Sequence, residues 1–237
     1  MSEHAPRRMT IDIWSDVMCP WCAIGYSQLQ KALAELSGEI EADVRWHAFE
    51  LNPDMPEAGE EQAAHIQRKY NRTAEEGAAV RSQMRSIAQG AGVSLDYEGA
   101  ADGAGETPPA MVWNTFAAHC LLTWALESAG PAKQTELKLA LFRAHFNQRR
   151  NIGQRDVLLD VAESVGLDRH GALAALNDME LAQRVRAEER RAWDLNISGV
   201  PAMMIEGKFM VPGAQPPETY VNVLRRVAEK TAGAAEA

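Results

Sequence analysis

The sequence predicts an α/β fold in which one sheet is built from two distant pieces of chain, with a long all-helical insertion between them. Three observations carry that prediction. A short alternating segment near the N-terminus hands over to a helix at Cys19-Pro20-Trp21-Cys22. From about residue 60 to residue 194 no convincing strand pattern occurs. Strand character returns at Val200–Gly213 as a hairpin, followed by one last helix. The order is βαβ, helices, ββα. The flanking pieces, 9–55 and 196–230, then make one discontinuous domain and 60–194 the insertion, with 1–8 and 231–237 expected as loose tails.

Each element has a local reason. In Met9–Met18, Ile11 and Ile13 alternate with Thr10 and Asp12, the period of a strand. Ala23–Leu33 places Ile24, Leu29 and Leu33 on a helix face. Ile40–Phe49 alternates again, with Ile40, Ala42, Val44 and Trp46 on one side, and turn residues at Asn52–Gly59 end it. Helices are expected over Glu60–Tyr70, Thr73–Ala91, Ala110–Ser128, Pro131–Asn147, Gln154–Val165, Asp168–Leu176 and Met179–Asp194, with a Gly/Ala/Pro-rich loop at Glu98–Pro109. Asp168 suits an N-cap, and Gly166 suits the stop of the helix before it. In Pro217–Lys230, Tyr220, Val223, Leu224 and Val227 share a face.

The balance of 24 basic against 33 acidic side chains, a net charge of −9, disfavours nucleic acid and anionic membrane surfaces as partners. Arg7-Arg8 is not followed by an apolar stretch, because Asp12 and Asp16 interrupt it, so no export signal is expected. No run of 18 apolar residues predicts a membrane span. A cytoplasmic protein is expected. There a CxxC is more often catalytic than structural.

The chemistry concentrates in the two cysteines. Two thiols three positions apart at a helix start can close a disulfide with little backbone motion. Cys19 falls near the N-cap and Pro20 at the first helical position, where a missing N–H is not felt. Free N–H groups and the positive helix end stabilise a thiolate there, so Cys19 is expected to be the more acidic thiol. A CxxC can also be half of a zinc site, but that needs four ligands. Beyond the pair only Cys120, with His119 beside it, is at hand, and no metal is expected. A disulfide across so short a loop restrains little of the unfolded chain, which leaves thiol chemistry as the favoured reading.

The βαβ and ββα halves around a CxxC follow the thioredoxin pattern, and the helical block resembles that of the DsbA family. The chain is most similar to the FrnE-like branch, related to 2-hydroxychromene-2-carboxylate isomerase and kappa glutathione transferase. The residues that carry the likeness are Ser15–Cys22 with Ile24-Gly25, Phe49–Pro56, Asn114–His119, Leu141–Phe146, Asn151–Gly153, Ile197–Pro201 and Gly213–Pro216. They run in order along almost the whole chain.

The resemblance implies a thiol–disulfide oxidoreductase with a DsbA-like thioredoxin fold. Cys19 and Cys22 match the redox pair, with Pro20 and Trp21 completing the motif. Pro201 matches a cis-proline opposite the pair, and Val200 before it would offer its backbone to an extended substrate. Gln215 and His119 are weaker candidates for the rim of the site. Where relatives carry a buried acid six residues before the first cysteine, this chain has Ile13. Trp21 stands where strongly oxidising relatives have histidine, and the extra C-terminal cysteine pair of some FrnE-type relatives is missing.

The expected partners are thiol or disulfide substrates, protein or small molecule. The dithiol itself replaces a cofactor, and glutathione is a conceivable co-substrate. The alternatives are a glutathione-dependent isomerase or transferase, against which an intact pair argues, and a non-catalytic chaperone-like module. Cys120 is read as a buried, inert thiol. Glu50 and Asn52 are read as turn residues.

Overall fold

A computed structural model describes residues 5–99 and 107–232. Strand β1 (Arg7–Ser15) leads through a tight turn into helix α1 (Pro20–Glu35), and Gly38 at φ +85° turns the chain into β2 (Ile40–Ala48). The inserted part holds β3 (Glu60–Glu61), α2 (Gln62–Tyr70), α3 (Ala74–Ala91), β4 (Met111–Val112), α4 (Phe116–Phe146), α5 (Arg155–Ser164), α6 (Arg169–Leu176) and α7 (Met179–Asp194). The chain then re-enters the sheet through β5 (Ala202–Ile205) and β6 (Phe209–Pro212) and closes with α8 (Pro217–Ala232).

The main sheet has the order β2-β1-β5-β6, with β1 parallel to β2 and the other pairs antiparallel. The two ends of the chain therefore meet at the β1–β5 ladder, where Ile13 pairs with Met203 and Trp14 with Ala202. Ile40, Val44 and Trp46 of β2 join Ile11 and Ile13 of β1 in one buried cluster under α1 and α8, as the alternation demands.

β2 is an edge strand, and edge strands leave backbone groups unpaired. The insertion supplies the missing partners. The Gln134 side chain accepts from Trp46 N–H at 2.9 Å and donates to Trp46 C=O at 2.7 Å, standing in for a neighbouring strand. Thr135 Oγ1 accepts from the Trp46 indole at 2.9 Å. The helical part is thus stitched to the sheet along its β2 edge.

Several expectations shift. Residues 1–4 and 233–237 of the expected tails, and 100–106 of the expected loop, lie outside the described residues. Arg7 and Arg8 are already strand, and α8 runs to Ala232. The insertion is not wholly helical, because β3 and β4 form a small antiparallel sheet. Two-residue strands are too short to show a period, so the sequence signal there was that of the adjoining helices. Gly130, at φ +84°, and Pro131 break α4 where two helices were expected. Asp168 caps α6, accepting from Gly171 N–H at 2.6 Å.

Candidate active site

The end of β1 and the start of α1 set the site. Cys19 is the N-cap of α1, with extended φ/ψ of −86° and 112°, and Pro20 opens the helix. Cys19 N–H donates to Asp16 C=O at 3.2 Å, and Cys22 N–H donates to Cys19 C=O at 3.1 Å. One helical turn therefore brings the two cysteines within 3.3 Å, both as free thiols. Cys19 retains 3% of its surface, Cys22 none, and Trp21 between them is exposed. Substrate can approach only from the Cys19 side.

The C-terminal half faces Cys19. Cys19 Sγ lies 3.6 Å from Val200 C=O, within reach of a sulfur hydrogen bond, and the Val200–Pro201 peptide is cis. Pro201 is buried, and its C=O accepts from Gly213 N–H at 2.8 Å, which ties it to the loop after β6. Both loops rest on Gly25. A Cβ there would lie 3.1 Å from Pro201 Cγ and 3.3 Å from Ala214 Cβ. The absence of a side chain at this turn of α1 lets the proline come down onto the dithiol.

The two thiols are joined by a hydrogen bond and titrate as a unit. The Cys19 thiol is pushed up, first by the hydrogen bond it gives Cys22 and then by burial. Burial also opposes the Cys22 thiolate, but the Cys19 thiol, the Lys138 charge, the Ser15 hydroxyl and the Asp16 backbone together hold it below its ordinary value. Cys19 is the thiol nearest the surface, whereas the side chains that stabilise negative charge converge on Cys22.

Beneath the pair lie three buried titratable groups. Asp16 is fully buried and accepts from Leu51 N–H at 2.8 Å and Met18 N–H at 3.4 Å. Burial disfavours its charge, yet the His119 ring, the Leu51 N–H and Lys138 keep it below the usual carboxylate range. It is a buried acid close to the dithiol, at a position the sequence marks only as an interruption of the apolar stretch. Lys138 of α4 is fully buried, with Nζ donating to Ser15 C=O at 3.3 Å. Its burial pushes the amine down to about 8. His145, also buried, is pushed down to about 4 and stays neutral.

The weaker candidates fall at different distances from this centre. His119 is buried, with Nε2 3.8 Å from Asp16, and so sits under the pair rather than on an open rim. Gln215 is half-buried in the loop after β6, its amide donating to Pro212 C=O at 2.7 Å. Cys120 packs with Ala48, Ala175 and Leu181, and burial pushes its thiol up to about 12. Glu50 is buried against Arg186 and raised to about 7, mainly by burial. A cavity of about 170 Å³ opens beside Pro20, with Met84, Leu95 and Phe146 among its apolar walls and Arg81, Arg85 and Arg149 as its cations.

Sequence reasoning missed Lys138, Ser15, Gly25 and the burial of Asp16. For Lys138 a signal existed. Gln134, Leu137, Lys138, Leu141, Phe142 and His145 share one face at helical spacing, and three of them are polar. Polar residues on an otherwise apolar stripe point to a buried site.

A dithiol at a helix N-terminus, faced by a proline loop on a sheet of this order, defines a thioredoxin-fold protein. The chain belongs to the DSBA-like thioredoxin domain family, which matches residues 10–225. It is similar to a probable DsbA oxidoreductase from Streptomyces coelicolor, with 29% identity, 92% of this chain and 89% of that one covered, and a TM-score of 0.78. The cytosolic disulfide reductase DsbM from Pseudomonas aeruginosa, solved with GSH, shares 21% identity over 93% and 99% of the chains at a TM-score of 0.59. A 2-hydroxychromene-2-carboxylate isomerase shares 16% over 95% and 98% at 0.65. The last two likenesses speak for the fold. The family and the S. coelicolor relative support thiol–disulfide oxidoreductase chemistry in general. No helix among the described residues is long and apolar enough to cross a membrane.

Proposed function

We propose that the protein is a dithiol–disulfide oxidoreductase in which Cys19 exchanges disulfides with protein or small-molecule thiols and Cys22 resolves the mixed disulfide. The observation that carries this is the pair of free thiols at the start of α1, with Cys19 outermost and against the Val200 carbonyl. In the reducing direction the Cys19 thiolate attacks a substrate disulfide, and one substrate sulfur leaves as a thiolate. Cys22 then attacks Cys19 Sγ, and the second substrate sulfur leaves. In the oxidising direction a substrate thiolate attacks the Cys19–Cys22 disulfide at Cys19.

The Val200 backbone and the Pro201 loop lie where an extended substrate would align beside Cys19. The cavity beside Pro20 would take a neighbouring group, and its arginines favour an anionic one. The P. aeruginosa relative, a cytosolic disulfide reductase solved with GSH, supports a cytoplasmic setting with glutathione as a co-substrate. The dithiol then serves as the redox group, without a metal or nucleotide.

The test is trapping. Cys22→Ser should accumulate mixed disulfides with substrate thiols, and Cys19→Ser should accumulate none. Equal trapping by both variants would defeat the mechanism. Full glutathione-dependent turnover in Cys19→Ser would favour an isomerase. Client protection without insulin reduction in the native protein would favour a chaperone.

A further inference from the structure

Lys138 is the least satisfied charge near the dithiol. Its ammonium has three donors. One meets Ser15 C=O, and the head group otherwise sits over the faces of Trp46 and Phe142, at 5.2 and 5.1 Å from the ring centroids. No carboxylate among the described residues forms an ion pair with it, although ion pairs are common on the surface of this chain. A buried cation without a partner is strongly unfavourable, so an anion should be found nearby.

The groups facing Lys138 can be taken in turn. From the β1–α1 turn comes Asp16, whose charge also favours the ammonium but is already held by two backbone N–H groups and lies beside His119. From α1 come Cys19 and Cys22, and α4 carries the buried His119 and His145 along its own length. Cys19 is turned toward Val200. Cys22 remains, fully buried, and its charge and that of Lys138 favour each other. Ser15 joins the two, since its carbonyl takes the ammonium while its hydroxyl supports the Cys22 thiolate.

We propose that Lys138 is the buried countercharge of the Cys22 thiolate, so that the helical insertion, rather than the thioredoxin frame, controls the resolving cysteine. The inference rests on the dithiol mechanism above. In the resolving step the Cys22 thiolate attacks Cys19 Sγ of the mixed disulfide. The Cys19–Cys22 bond forms, the Cys19–substrate bond breaks, and the substrate thiolate takes a proton from water. Over the full cycle two electrons pass from the dithiol to the substrate disulfide. Once the internal disulfide has formed, the negative charge at Cys22 is gone and the ammonium has lost its partner. Lys138 therefore favours the reduced form and makes the pair more oxidising. It is a positioning residue, because it acts through Cys22 and touches no substrate.

The test uses Lys138→Met, close in size and uncharged. In a Cys19→Ser background, thiolate absorbance follows Cys22 alone, because Cys120 is held near 12. Removing the charge should raise the Cys22 midpoint by about one pH unit, a tenfold loss of acidity. With both cysteines present, the equilibrium with glutathione should shift about tenfold toward the protein disulfide. A second measurement needs no loss of charge. The chain has six lysines, so their 13C-labelled ε-carbons can be followed by NMR, with Lys138→Arg as the assignment. The Lys138 midpoint should be lower in the disulfide form than in the dithiol form. Equal midpoints in the two redox states, or an unmoved Cys22 midpoint in folded Lys138→Met, would overturn the inference while native trapping and turnover still upheld the mechanism. A shifted Cys22 midpoint in a protein without turnover would uphold the countercharge and overturn only the function.

Discussion

Adjacent residues of β2 look into two different kinds of buried charge. Trp46 points to the Lys138 side, and His47 points to the opposite face of the sheet. There His47 lies between two carboxylates, with Nε2 2.7 Å from Asp12 and Nδ1 2.5 Å from Glu188. The other Glu188 oxygen accepts from Ala48 N–H at 3.1 Å, and the His47 ring stacks on Trp14 at 4.7 Å. Every hydrogen-bonding atom of that ring has a partner. On the dithiol side Lys138 forms no ion pair with a carboxylate among the described residues, although Asp16 lies near enough to feel its charge, and His119 Nε2 and His145 Nδ1 are buried without hydrogen-bond partners. The lesson is that buried charge serves two ends here. The matched cluster ties β1, β2 and α7 together. The mismatched one keeps an electrostatic demand beside the thiols, as functional sites do at the expense of stability.

Breaking the matched cluster should have the largest effect. His47→Leu leaves Asp12 and Glu188 facing each other and should lower the unfolding free energy by roughly 3 kcal/mol in urea titrations. Thiol trapping by Cys22 variants should be unaffected, since the ring is on the far face. The same cluster gives a pH signature. His47 is held up at about 9 against an ordinary 6.5; burial opposes its charge, but the two carboxylates outweigh it. A raised folded value means that the contribution is fully present below pH 6.5 and is lost as pH climbs to 9. The loss is at most about 3 kcal/mol and should vanish in His47→Leu. An unchanged slope in that variant would show that the cluster does not govern alkaline stability.

The mismatched cluster should respond with the opposite sign. In the oxidised protein Lys138→Met should raise stability at neutral pH by roughly 2 kcal/mol, because it replaces a buried ammonium that hydrogen-bonds no carboxylate with an apolar side chain of similar size, while Asp16 keeps its own backbone donors. The linkage runs the other way as well. With its folded value lowered from 10.5 to about 8, Lys138 burdens the fold below pH 8 and releases that burden as pH rises toward 10.5. A stability loss in folded Lys138→Met would mean that the two clusters do the same work, and the contrast would fall.

The sequence made the frame legible because its signals are local. The alternation in Met9–Ile13 and Ile40–Trp46, and the hairpin at Val200–Gly213, each lie within a few residues. The cysteine pair was legible for the same reason. The electrostatics were not. Lys138 stands about 120 positions from the cysteines, and only the fold brings α4 under them. The resemblance directed attention to the position of Ile13 for a buried acid, yet the buried carboxylate is Asp16, closer to Cys19. Gly25 was quoted as part of a motif, but its reason, the close approach of Pro201, exists only after the two halves meet.

Gly25→Ala sharpens the comparison from the substrate side. Alanine favours a helix over glycine by about 1 kcal/mol, while crowding in a packed interior costs about 1–3 kcal/mol. The net loss of stability should be about 1 kcal/mol. Turnover should fall by more than stability implies, because the Pro201 ring must yield and the Val200 carbonyl moves with it relative to Cys19. Equal losses of turnover in Gly25→Ala and in a variant of matched stability elsewhere would remove the special role of this contact.

The smallest effect is expected at Cys120, a natural control for Cys22. Both thiols are buried and both face α4 or belong to it. Cys22 has a cation, a hydroxyl and a backbone group to hold its charge, whereas Cys120 lies among Ala48, Ala175, Leu181 and Val185 with Glu50 and Glu189 not far off. Its nearest cation, Arg186, is already engaged by those two carboxylates. Burial without a countercharge gives a thiol near 12, and burial with one gives a thiol below its ordinary value. Cys120→Ala should therefore cost under about 1 kcal/mol, leave trapping and the glutathione equilibrium unchanged, and remove no alkylation seen on the native protein at pH 8. Rapid native labelling of Cys120 would show that burial among apolar neighbours is not what silences a thiol in this chain. The contrast between the two sites would then have to rest on access to solvent rather than on charge.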